Sequence, residues 1–101
     1  MPMKPFNELL YKDLQDNEFA LAYLQGALED ENPQVFFAAL GHFIEARGFN
    51  KTDVAKKAAV ARPKLYKMLT EESNPQFLNI YNILAAVGIH IKLELDSDKS
   101  A

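Results

Sequence analysis

Six cations crowd one short stretch: Lys51, Lys56, Lys57, Arg62, Lys64 and Lys67 lie between positions 51 and 67, opposed there only by Asp53. Ammonium and guanidinium groups at that density neutralise phosphate, and an arginine fork can also read guanine by two parallel hydrogen bonds. Thr52 and Tyr66 stand among them with hydroxyls able to donate to phosphate oxygen. The chain as a whole carries a formal charge of −3, so a local +5 rides on a remainder of −8. An acidic body bearing one basic stretch implies a polyanion-binding face or an ordinary solvated helix surface, and charge alone leaves both open.

Other reactive chemistry is sparse. There is no cysteine, which excludes a disulfide framework, a thiolate metal site and a cysteine nucleophile. His42 and His90 are the two histidines, and neither has a second histidine at metal-ligand spacing. The acids Glu29–Glu31 and Glu71-Glu72 fall at helix ends or in loops, where solvation explains them. Four glycines form no phosphate-cradling loop. The expectation is a protein that is not an enzyme and holds no metal and no cofactor.

The elements that must position the cations follow from periodicity. A chain of 101 residues, 49% hydrophobic, makes one domain with a real core. The longest apolar run, residues 35–40, is too short to span a bilayer, and Met1-Pro2-Met3-Lys4-Pro5 lacks an apolar signal region. A soluble, cytoplasmic protein is expected, with no membrane partner. Residues 1–15 read as an N-terminal arm, 16–95 as the domain and 96–101 as a polar tail. The domain is all-α, with five helices at about 17–29, 33–47, 51–58, 62–69 and 75–87. Asp16, Asn32, Asn50 and Asn74 are the expected N-caps, with Pro33 and Pro75 in first turns and Gly48 and Gly88 as stops. Phe36, Phe37, Leu40, Phe43 and Ile44 form the buried face of the second helix. Leu78, Ile80, Tyr81, Leu84 and Val87 do so for the fifth.

Residues 51–70 meet the packing demands of a helix-turn-helix. Two helices crossing steeply over a short turn need a small residue where they touch, and Ala55 stands there. The turn wants Gly or a very small side chain, and Ala59 occupies it. Val54, Ala58, Val60, Leu65 and Met68 supply the required apolar positions. The second helix of such a pair enters the DNA major groove. With its buried residues set aside, Arg62, Pro63, Lys64, Tyr66 and Lys67 face outward, Arg62 and Lys64 in the first turn nearest base edges. Lys51, Thr52, Lys56 and Lys57 are the candidates for backbone phosphates, though Lys56 and Lys57 could equally be plain solvated lysines. Tyr66 either reaches a phosphate or is partly buried core. Ala59 would be strained if the turn requires positive φ.

Ile89-His90-Ile91-Lys92-Leu93-Glu94-Leu95 alternates strictly and reads as a C-terminal β-strand. A lone strand leaves its backbone groups unpaired. Ile89, Ile91, Leu93 and Leu95 therefore point to antiparallel pairing with a second copy, giving a homodimer. A short N-terminal strand of the same chain is the other possible partner.

Six phrases carry a family resemblance over about residues 10–95. They are Tyr23-Leu24-Gln25-Gly26-Ala27-Leu28-Glu29-Asp30, Ala39-Leu40-Gly41, Ala46-Arg47-Gly48, Leu65-Tyr66-Lys67-Met68-Leu69, Asn74-Pro75-Gln76-Phe77 and Ala86-Val87-Gly88-Ile89. In this order the chain resembles the bacterial addiction-module antidote proteins, relatives of HigA-type antitoxins. The resemblance implies a five-helix domain like that of the lambda-type phage repressors (Cro/CI, XRE-type). It implies binding to double-stranded operator DNA in the protein's own promoter, with repression of that operon. It also implies a cognate toxin similar to the RelE-type ribosome-dependent mRNA endonucleases. Arg62 and Tyr66 match the family pattern. Ala59 replaces a usual Gly, Ala61 a usual Ser, and Pro63-Lys64 a more polar pair. The acidic first half would complement a basic toxin. Two other roles fit the residues: a stand-alone phage-type repressor, or a protein-interaction module that no longer binds DNA.

Overall fold

The computed structural model describes residues 5–70 and 73–97, with side chains from Glu8 onward. Residues 1–4 of the expected arm, Glu71 and Glu72, and 98–101 of the expected tail lie outside the described residues. Among the described residues there are six helices and no strand: α1 (Pro5–Asp13), α2 (Asn17–Leu28), α3 (Pro33–Ala46), α4 (Lys51–Ala58), α5 (Arg62–Thr70) and α6 (Phe77–Ala86). No helix is long and apolar enough to cross a membrane.

Local chemistry explains where α2, α3 and α4 begin. The Asp16 carboxylate accepts from the Phe19 N–H at 2.9 Å, the Asn32 side chain from Gln34 at 3.0 Å and the Asn50 side chain from Asp53 at 3.1 Å. Each satisfies a donor that the first helical turn leaves unpaired. Helix α6 differs. It starts at Phe77 after Gln76, which makes no side-chain cap bond, so Asn74-Pro75 belong to the preceding loop. Its buried stripe is Ile83, Leu84 and Val87 with Ile80 beside them, whereas Leu78 and Tyr81 face solvent, contrary to expectation. Tyr81 instead packs ring to ring with exposed Phe77 at 6.2 Å.

The five-helix count is corrected by α1. Leu10 and Leu14, one turn apart, are both buried and seat this helix on α3. Leu10 within the helix and Leu14 just past its end are a short signal, and the nearby prolines obscure it. The exit from α1 is tied to the end of α3: Arg47 Nε donates to the Leu14 carbonyl at 2.7 Å, Arg47 Nη2 to Asn17 Oδ1 at 2.7 Å, and Gln15 Nε2 to the Ala46 carbonyl at 2.6 Å.

The C-terminal β-strand is also corrected. Residues 89–96 have neither helix nor ladder. Ile89 packs on the core, while Leu93 and Leu95 are 94% and 92% exposed. Alternation prepares a segment for a sheet but supplies no partner, and the N-terminal segment once available for pairing is helical.

Helix α3 forms the mast of the fold. Phe36, Phe37, Ala39, Leu40, Phe43 and Ile44 are buried, and α1, α2 and α5 all pack against this helix. Gly41 allows the close approach of α5: a Cβ there would sit 3.5 Å from both the Cβ and the carbonyl oxygen of Leu69. Helix α4 packs on α5 and α6.

Candidate nucleic-acid interface

The pair α4–α5 is built on the small and apolar positions singled out above. Val54, Ala55, Ala58, Val60, Leu65 and Met68 are all buried. Ala59 adopts the left-handed conformation, with φ 58° and ψ 41°. The Val60 N–H reaches the Ala55 carbonyl at 3.0 Å and the Ala59 N–H the Lys56 carbonyl at 3.1 Å, which pairs the last carbonyls of α4. Gly48 and Gly88 end α3 and α6 with the same two bonds. Ala59 is the sole non-glycine residue with positive φ among the described residues, at a cost of about 1 kcal/mol.

The outward side of the pair carries the cations. Arg62, Pro63, Lys64, Tyr66 and Lys67 are exposed on α5, and Thr52, Lys56 and Lys57 on α4. The Tyr66 ring therefore belongs to the surface, not the core. Arg62 Cζ lies 5.4 Å from its centroid and Lys51 Nζ 5.2 Å, so the ring holds two cations at its face.

Lys51 alone among the candidate phosphate ligands is half-buried and already engaged. Its Nζ sits 2.8 Å from Glu45 Oε2, while Tyr11 donates its hydroxyl to Glu45 Oε1 at 2.6 Å. The Lys51 and Tyr11 hydrogen bonds hold the Glu45 carboxyl below its ordinary pKa. The same carboxylate, helped by burial, pushes the Tyr11 hydroxyl up to about 12. Tyr11, Glu45, Lys51, Thr52, Arg62 and Tyr66 line an open groove of about 510 Å³ between the end of α3 and the start of α5.

Glu45 and Tyr11 escape a reading of the sequence. Glu45 and Lys51 are six residues apart across a helix break, so no i,i+4 spacing announces them. Tyr11 is brought in only because α1 packs on α3. Of the candidate dimer residues, Ile91, Leu93 and Leu95 are exposed together, whereas Ile89 is partly taken up by the chain's own core.

Comparisons with known proteins supply a family. The family described as "Probable addiction module antidote protein" matches residues 3–95. An "Uncharacterized protein" of Haemophilus influenzae (strain ATCC 51907 / DSM 11121 / KW20 / Rd) is 28% identical over 81 residues, covering 80% of this chain and 81% of that protein. No solved structure matches.

Proposed function

Because the chain belongs to the family of probable addiction module antidote proteins, we propose that it is the DNA-binding antitoxin of a toxin–antitoxin module, a cytoplasmic, non-enzymatic protein that represses its own operon. Antidote membership brings a toxin partner. On this reading the toxin is RelE-like and meets the acidic half of the chain, where residues 5–46, helices and loops together, carry eight acids against Lys12.

One observation carries the DNA-binding part of the reading. The inward positions of α4–α5 are small or apolar and buried, while Arg62, Lys64 and Lys67 stand exposed on one short helix beside Tyr66. On this reading Arg62 and Lys64 approach base edges, and Thr52, Lys56 and Lys57 take phosphates. A second copy joined through Ile91, Leu93 and Leu95 would present two such helices to a two-fold symmetric operator.

The test is a salt series on a duplex carrying the operon's own promoter. Six to ten phosphate contacts predict an affinity loss of roughly 10³–10⁵ between about 50 and 200 mM salt. Absence of binding at low salt would overturn the reading in favour of a protein-interaction module.

A further inference from the structure

Glu45 is a carboxylate lining the same groove as Lys51 and Arg62, and its partner is one of those cations. We propose that Glu45 is a positioning residue for DNA binding: it occupies Lys51 in place of a phosphate, so that a polyanion must displace it before this lysine is recruited. The inference rests on the DNA-binding reading and adds a residue that the basic surface alone does not indicate.

Three observations support it. The Glu45–Lys51 pair is a direct contact at 2.8 Å, and the Lys51 side chain is the less exposed partner, at 20% against 48%. Tyr11 fixes the second carboxylate oxygen at 2.6 Å, so the acid is aimed from a different helix and is not a wandering surface chain. Lys51 also leans on the ring of Tyr66, which Arg62 shares from α5. The start of α4 and the start of α5 are therefore joined through one aromatic face, and the acid sits at the α4 end of that array. A phosphate entering the groove finds Arg62 exposed and Lys51 already neutralised.

The physical consequence is discrimination more than affinity. A resident carboxylate must be displaced before Lys51 is recruited, and only a ligand seated by good contacts elsewhere repays that cost. Loose, non-specific association loses a charge contact, while a well-seated operator can recover it.

The experiment measures affinity for a random-sequence duplex and for the promoter duplex across a salt series. The full chain is compared with Glu45→Gln, Lys51→Gln and the double variant, with thermal melting to confirm folding. Glu45→Gln removes the charge and keeps one acceptor, the amide oxygen, for Lys51, while its amide nitrogen can donate to the Tyr11 hydroxyl oxygen. It is expected to tighten random-duplex binding and to steepen the salt slope by about 0.9, so that its advantage grows about threefold as salt falls from about 200 to 50 mM. In the Lys51→Gln background the same change should do little. Tyr11→Phe, which unpins the acid without removing it, should give a smaller gain. Glu29→Gln, outside the groove, should give none.

Equal tightening with and without Lys51 would show a general field effect and overturn the proposal. Unchanged binding by Glu45→Gln would overturn it as well, leaving the DNA-binding reading intact. A wild-type chain that binds neither duplex would remove both.

Discussion

Arg47 Nε donates to the Leu14 carbonyl at 2.7 Å, joining the exit of α1 to the end of α3 across thirty-three residues. The same guanidinium reaches Asn17 and lies 4.9 Å from the Phe43 ring centroid. Arg47→Ala should therefore cost about 1–3 kcal/mol, since it leaves a part-buried carbonyl without its donor. Arg47→Lys should recover little, because a single ammonium cannot reproduce the fork. Denaturant midpoints at constant slope are the measurement.

Ala59→Gly should stabilise the chain by roughly a few tenths of a kcal/mol, because relief of the left-handed strain outweighs the added unfolded-state freedom of glycine. Ala59→Val should destabilise by more than that, a β-branched residue being poorly suited to positive φ. Thermal melting of the three proteins decides the order, and a Gly variant less stable than wild type would contradict it.

The Tyr11–Glu45 pair should make stability depend on pH at both extremes. Glu45 has a lowered folded-state pKa, chiefly through Lys51, so its contribution is present above the ordinary value of 4.5 and is lost as pH falls through the lowered value. Tyr11 is raised from 10.0 to about 12, so its contribution is full below pH 10 and is lost as pH climbs toward 12. Tyr11→Phe should shrink the alkaline limb to the part owed to Tyr23, whose hydroxyl burial also pushes up, and keep most of the acid one. Melting temperature against pH, with phenolate absorbance as a second readout, checks both limbs.

Arg62→Ala should cost about 1–3 kcal/mol of operator affinity and relax preference at one base position. Lys57→Ala should weaken all duplexes alike and lower the salt slope by about one phosphate. Competition between promoter and random duplexes separates the two behaviours. If both variants bind as wild type does, the surface of α4–α5 is not the contact.

Leu93→Lys should leave monomer folding untouched, since that side chain is 94% exposed, and should split any dimer held by the C-terminal segment. Sedimentation velocity over a concentration range gives the answer. An intact dimer would move the interface elsewhere, with exposed Phe77, Leu78 and Tyr81 the next surface to substitute.

Much of the helical framework is legible because its signals are local. Asp16, Asn32 and Asn50 announce three helix starts by side-chain chemistry that acts within three residues. Val54, Ala55, Ala58, Val60, Leu65 and Met68 are recognisable because packing two short helices constrains size at fixed spacings. Helix α1 is hard to read, since Leu10 and Leu14 show their purpose only once α3 exists to receive them. The segment after Gly88 misleads for the opposite reason: its alternation is plain, but a ladder is a property of two segments. Tyr11 and Glu45 meet through packing between α1 and α3, across a separation that no periodicity spans.

Gly41 lies where α3 touches α5, with Leu69 against it. Helices α1 and α2 lean on α3, whereas α4 packs on both α5 and α6. That narrow seam is thus the main joint between an acidic half and a basic half. A bulkier side chain at Gly41 would act as a wedge, changing the tilt of α5 without touching a charge.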